Sequence, residues 1–290
     1  MKIGVEAFSL EHTLDSGQFF RYDYREGWYY CQERDKLFRI RQAGNIIEFE
    51  GTDKTHIKRL FGLNQNYDKI IEALSKDKTL LPAIKKYHGL RVMQRDPWET
   101  LVSFQCSIFS NIKKIKLNMN CIAKEFGNKI LPRSPTNFSL PLAMRGERKM
   151  TLAEAKARLQ IVGYAFPAPG KINNLERIKK CATGFRAKYI YGANKIVSDA
   201  YFEALRKKTY KKAKEQLMQL PGIGEKVADC ICLFSLGKTE AFPVDVWMER
   251  VMTKLYKKKK NRDIKTFAQE RWGKNAGYAQ QFLYHWVRHK

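Results

Sequence analysis

Residues 210–220 and 225–235 read as two amphipathic helices, and Leu220-Pro221-Gly222-Ile223-Gly224 must turn the chain between them within a few residues. Proline cannot continue a helix, and glycine reaches backbone conformations closed to other residues. The outcome is a helix–hairpin–helix at about residues 210–235. With no side chains at Gly222 and Gly224, phosphate oxygens can approach the N–H groups at the start of the second helix. A Gly-x-Gly turn also serves ordinary helix packing, so the surrounding charge has to be weighed. Lys and Arg number 55 against 29 Asp and Glu, a formal net charge of +26 over 290 residues. Such a field draws in polyanions, and each phosphate neutralised on duplex DNA releases counterion with a salt slope of roughly −0.9. A solvated basic surface or affinity for anionic lipid are the plainer uses. An excess this large, joined to the hairpin, favours nucleic acid.

Hydrophobic residues make up 44% of the chain, enough to bury a substantial core. No segment approaches the roughly 18 to 20 apolar residues that span a bilayer. The first ten residues include Glu6 and lack the apolar stretch of a signal peptide. A cytoplasmic, nucleoid-associated protein is expected, monomeric and without a membrane partner. Cys31, Cys106, Cys121, Cys181, Cys230 and Cys232 are scattered with no Cys-x-x-Cys pair, and are expected to be free thiols.

The organisation is that of an α+β protein: an N-terminal antiparallel β-sheet domain (residues 1–95), then a mainly α-helical region (residues 96–290). Residues 27–33 (GWYYCQE), 37–42 (LFRIRQ) and 45–50 (NIIEFE) are short, rich in aromatic and β-branched types, and separated by turn-forming stretches, which predicts a meander. Helical spacing begins near Tyr67 with Ile70, Ile71 and Leu74, then Leu80, Leu81 and Ile84. Asp96-Pro97 is an N-cap followed by a first-turn proline, and residues 111–126 continue the pattern. Residues 131–150 read as a Pro-rich basic loop, and Thr151-x-x-Glu154 as a capping box for a following helix. Helices are also expected over residues 172–181, 186–199 and 201–207.

Lys226 falls in the first turn of the hairpin's second helix, and Pro243-Val244-Asp245 lies about twenty residues on. A lysine that attacks an anomeric carbon must be uncharged. The positive end of a helix, a cation-rich site and desolvation all push it that way. A carboxylate nearby can stabilise the positive charge that grows on a sugar as its base departs. Against this, a lysine taken at random is solvated, and Asp245 also suits a helix N-cap.

The run LPGIGEKVADCICLFSLGKTEAFPVDVWMERV resembles the helix–hairpin–helix signature of base-excision glycosylases, and within them the bacterial-type 8-oxoguanine DNA glycosylase/AP lyase family. The likeness extends to DSGQFFR at 15–21, Arg95-Asp96-Pro97, GFRAKY at 184–189 and Gly277-Tyr278-Ala279-Gln280. It implies a bifunctional enzyme acting on double-stranded DNA that contains oxidised guanine, by base flipping, a Lys226 Schiff base assisted by Asp245, and β-elimination. It implies a base pocket in which the Gly17 carbonyl meets N7–H of 8-oxoguanine and Gln280 reads the Watson–Crick edge. Cys230 and Tyr284 would sandwich the purine, Tyr284 standing where the family more often has Phe. DNA contacts are implied for Gly222, Gly224, Phe109, Lys114, Phe185, Arg186 and Trp247, with Trp247 where a His is usual. No cofactor is required by this reading beyond a monovalent cation at the hairpin carbonyls of residues 220–224. Taken as ordinary sequence, Cys230 is helix core and Gln280 and Tyr284 merely share a helix face.

Two departures stand out. Phe109 occupies the first position of the asparagine run carried by the eukaryotic relatives, and Lys114 replaces their arginine that reads the orphaned cytosine; lysine cannot reproduce a guanidinium fork. Residues 131–162 exceed the usual length and read as an insertion. The rival enzymes are endonuclease III-like and adenine-mispair glycosylases, which end in a four-cysteine cluster, whereas no cysteine follows Cys232 here. The rival outside enzymes is a non-catalytic helix–hairpin–helix DNA-binding protein, which would need neither Lys226 nor Asp245.

Overall fold

The computed structural model describes residues 1–130, 163–258 and 261–289. It has the expected α+β architecture. Five antiparallel strands, β1 (Lys2–Gly4), β2 (Tyr22–Arg25), β3 (Trp28–Glu33), β4 (Lys36–Ala43) and β5 (Ile46–Glu50), lie in the order β1-β5-β4-β3-β2. The register pairs Cys31 with Phe38 and Ile40 with Phe49. Alternation therefore puts these four side chains on one face, where Leu10 and Leu14 of α1 (Leu10–Asp15) and Ile57 and Leu60 of α2 (Lys54–Leu60) cover them. The opposite face carries Trp28 between the guanidinium groups of Arg39 and Arg41, each 4.4 Å from the ring.

The predicted meander is β3-β4-β5. Strands β1 and β2 and helices α1 and α2 were not legible in the sequence. Each is a few residues long, and helices this short are marginal without tertiary packing. Local caps complete them: Ser9 accepts from His12 N and Asp53 from His56 N.

From α3 (Tyr67–Ser75) and α4 (Leu81–Lys86) onward the chain is helical, and Tyr67, Leu74 and Ile84 already belong to the larger, helical core. Asp96 caps α5 (Pro97–Cys106) as read, accepting from Glu99 N, and every residue of α5 is buried. Then follow α6 (Ile112–Phe126), the pair β6 (Lys129–Ile130) and β7 (Gly163–Tyr164), α7 (Leu175–Lys180), α8 (Arg186–Asn194) and α9 (Asp199–Lys207). Helix α8 stops short of the expected 199 and α9 begins there, because the Ser198 side chain caps it through Tyr201 N. The hairpin helices are α10 (Tyr210–Leu217) and α11 (Glu225–Ser235), and α12 (Val246–Tyr256), α13 (Asn261–Trp272) and α14 (Ala276–Arg288) complete the chain. The expected insertion at 131–162, with its capping box, lies outside the described residues. Its flanks are adjacent, Ile130 pairing with Gly163. No helix among the described residues is long and apolar enough to cross a membrane.

One expectation is corrected. Cys121 on α6 and Cys181 at the end of α7 form a disulfide across 60 residues of sequence, with Cα atoms 5.2 Å apart. Scattered spacing hid this because proximity comes from packing α6 beside α7, not from any local pattern. Cys31, Cys106, Cys230 and Cys232 are free.

Glu33, buried at the end of β3, joins the sheet to the helices. It accepts from His56 Nε2 at 2.7 Å, Arg59 Nη2 at 2.7 Å and Asp96 N at 2.8 Å. Burial alone would raise its pKa, but the His56 hydrogen bond and the Arg59 charge outweigh it and hold the carboxyl down at about 2. A carboxyl depressed from 4.5 to about 2 stabilises the fold above pH 4.5, and that stability is lost as pH falls towards 2. Urea unfolding of the protein and of Glu33→Gln should differ by about 3 kcal/mol at pH 6. The difference should shrink progressively below pH 4.5. A gap of unchanged size at pH 2.5 would show that the Glu33 charge is not what holds this joint.

Candidate active site

The hairpin is set against α5. Gln105 Nε2 donates to Pro221 O at 2.8 Å, and Phe104 stacks on Phe234 of α11 with centroids 5.5 Å apart and planes 17° apart. Gly222 has φ +72°, and a Cβ there would sit 2.4 Å from Tyr189 Cγ, so both conformation and packing require glycine. Gly224 is different: its missing Cβ faces open space, leaving the start of α11 accessible. Behind the hairpin, the fully buried Asp229 ties α10, α11 and α13 together through Tyr210 Oη (2.6 Å), Lys214 (3.0 Å) and Lys265 (2.8 Å). That network fixes the helix whose first turn carries Lys226.

Lys226 is half-buried, donates from Nζ to Ser107 Oγ at 3.3 Å, and lies over the Phe104 ring at 5.3 Å from its centroid. Asp245 is the N-cap of α12 as read, accepting from Met248 N at 2.8 Å. Both line one cavity together with Gly17, Cys230, Gln280 and Tyr284. The residues that sequence reasoning assigned to catalysis and to a base pocket thus converge from α11, α12, α14 and the turn after α1.

Within the cavity, burial pushes the Cys230 thiol up to about 12 against the opposing charge of Lys226, so the thiol stays neutral and packs rather than attacks. Burial likewise raises Tyr284 to about 12, Arg288 opposing. Gly17 has φ +78°, and a Cβ on it would fall 3.2 Å from Tyr284 Cε1, so the phenol lies directly across that backbone. The cavity has a volume of about 40 Å³ and opens to the surface.

Sequence reasoning missed Ser16, Phe104, Ser107, Phe234, Pro243 and Gln281. Ser107 meets Lys226, and the other five line the cavity. Phe104 and Ser107 lie outside the hairpin motif, on and just after α5, where their only signal was the apolar period of that helix.

On the outer surface Phe109 is 93% exposed with φ +46°, a strained conformation for a bulky residue. Phe185, at the start of α8, and Trp247, in the first turn of α12, are each about half exposed. Lys114 is half-buried in the first turn of α6. Arg186, expected among the DNA contacts, is buried in the free protein. Its guanidinium donates to the carbonyls of Ile108, Phe109 and Thr183 and packs against the Phe185 ring at 4.6 Å. It therefore sets the backbone that carries one exposed phenyl and supports the other.

A helix–hairpin–helix that delivers a lysine into a cavity beside a carboxylate, flanked by exposed aromatic rings on a basic surface, defines a DNA glycosylase fold and site. Comparison with known proteins narrows the class. Residues 1–101 match the model of the 8-oxoguanine DNA glycosylase N-terminal domain. The solved structure of MBOgg1 with a low-affinity DNA ligand superposes at TM-score 0.84, with 32% identity over 99% of this chain and 95% of that one. The Clostridium acetobutylicum 8-oxoguanine glycosylase/lyase, bound to duplex DNA with cytosine opposite 8-oxoG, gives 0.83 with 27% identity over 100% and 98%. A probable N-glycosylase/DNA lyase of Methanothermobacter thermautotrophicus is 28% identical over 99% of this chain and 96% of its own length. The chain belongs to the 8-oxoguanine DNA glycosylase family.

Proposed function

We propose that this protein excises 8-oxoguanine from duplex DNA and then cleaves the strand as an AP lyase. The observation that carries this reading is the convergence of Lys226 and Asp245 on one cavity with Gly17, Cys230, Gln280 and Tyr284. The hairpin and the basic surface hold phosphates. Phe109 and Phe185 enter the stack as the damaged nucleotide leaves it, and unstacking costs a few kcal/mol that the pocket returns selectively to the oxidised base. Lys226 attacks C1′ while Asp245 stabilises the charge growing on the sugar, and the base departs. The amine then stands as an imine on the opened sugar, from which β-elimination expels the 3′ phosphate.

Within this reading Gly17 offers its carbonyl to the N7–H that guanine lacks, and Cys230 and Tyr284 flank the ring. A monovalent cation at the hairpin would be held by backbone carbonyls of residues 220–224, each of which has two lone pairs, and would supply positive charge for a phosphate. No chemical step passes through it. The protein is taken to work as a monomer in the cytoplasm, on the nucleoid.

The test is release of free 8-oxoguanine, and strand scission without added alkali, from a labelled duplex. Binding without either product would leave only a DNA-binding protein. The same assay measures discrimination by the opposite base. A bidentate arginine contact is worth about 1–3 kcal/mol, and here Lys114 stands in its place. Excision opposite cytosine and opposite adenine should agree within about tenfold. A preference for cytosine of a hundredfold or more would mean that another group reads the orphaned base.

A further inference from the structure

Gln281 has no role in the reading above, yet it lines the same cavity as Lys226 and is 2% exposed. Its Nε2 donates to Gln280 Oε1 at 2.8 Å, while its own Oε1 is buried without a hydrogen-bond partner. An amide oxygen buried unpaired is costly, and Gln281 lines the cavity, so an occupant that carries a donor would satisfy it. The direct bond has a second consequence. An amide oxygen and amide nitrogen are interchangeable in shape, and Gln280 alone could present either edge to a ligand. With its oxygen held by Gln281, Gln280 turns its Nε2 donor away from Gln281.

We propose that Gln281 is a specificity-determining positioning residue: it locks the Gln280 amide so that the pair offers a donor beside an acceptor, the complement of a lactam edge. A 6-oxopurine supplies a carbonyl at C6 and an N–H at N1 and satisfies both. A 6-aminopurine presents the reverse order and leaves each group facing its like. This inference rests on the reading that the flipped base occupies this cavity, and it assigns the choice between oxopurine and aminopurine to a residue one position beyond Gln280.

Single-turnover excision by the protein, Gln280→Ala, Gln281→Leu and Gln281→Glu would test it on duplexes carrying 8-oxoguanine or 8-oxoadenine. The two lesions share N7–H and the C8 carbonyl and differ along the Watson–Crick edge. Gln281→Leu should be about tenfold slower on 8-oxoguanine, the loss of roughly one hydrogen bond, and no slower on 8-oxoadenine. Gln281→Glu should be as slow at pH 8, because a carboxylate cannot donate to Gln280. It should return to within about threefold of the parent at pH 5, as a buried carboxyl regains its proton. The proposal is overturned by an unchanged Gln281→Leu, by an equal slowing on both lesions (the mark of a merely structural role), or by a Gln281→Glu deficit that does not depend on pH. If Gln280→Ala also excises 8-oxoguanine at the parental rate, the pocket assignment itself fails and takes this inference with it.

Discussion

Replacing Lys226 by glutamine is expected to abolish borohydride trapping on an 8-oxoguanine duplex and to slow excision by on the order of 10³-fold or more. The residue enters the cavity from the first turn of α11, its amine over the Phe104 ring and donating to Ser107. Glutamine is close in length and keeps a donor, so the packing around Phe104 should survive. What it lacks is a nucleophilic amine able to form an imine. Affinity for undamaged duplex should change little, since one cation among many accounts for a salt slope of roughly 0.9. A Lys226→Gln complex that still traps would move the nucleophile to another amine. A variant that lost DNA binding together with trapping would show that Lys226 serves phosphate contact.

Asp245→Asn should be the second largest lesion, and it separates two roles that one carboxylate holds. Asp245 caps α12 through Met248 N and also lines the same cavity as Lys226. Asparagine is as good an N-cap as aspartate, so thermal stability should stay within about 1 °C of the parent. Only the charge is removed, and excision should fall by about 10²–10³-fold, the range for loss of one electrostatic contribution to a transition state. Asp245→Ala removes cap and charge together and should add a stability loss of about 1 kcal/mol. If Asp245→Asn retained full activity, the residue would be a cap and nothing more, and the sugar cation would need another partner.

The parts of this site that were legible in the sequence share a short range. Pro221-Gly222-Ile223-Gly224 dictates a hairpin from within five residues, Lys226 follows in the next helical turn, and Asp245 caps the helix that begins beside it. Cys230 lies one turn beyond Lys226, so an apolar helix face already brings it near. The strands at 28–50 were legible for a similar reason: alternation within each and turn chemistry between them.

Other features had no local signature. Strands β1 and β2 are edges too short to show a period. The Cys121–Cys181 disulfide and the Glu33 joint with α2 and α5 unite segments far apart in the chain. The resemblance implies a DNA contact at Arg186, but the hydrogen bonds of its guanidinium to the carbonyls of Ile108 and Phe109 join segments far apart in the chain. The bond from Gln281 to Gln280 joins neighbours in sequence, but what makes it matter, a shared buried cavity with Lys226, comes from other helices.

The amino-acid sequence by itself determined the hairpin, the caps, the sheet meander, the basic field and the chemical types at the site. Those follow from backbone conformations and charges that a few adjacent residues specify. Only the tertiary structure decided that Phe104 and Ser107 would meet the Lys226 amine, that Tyr284 would lie across Gly17, and which polar groups would be buried with or without partners. Such contacts depend on how whole helix faces dock, and docking sums many weak apolar contacts along α5, α11 and α14 that no short stretch of chain contains.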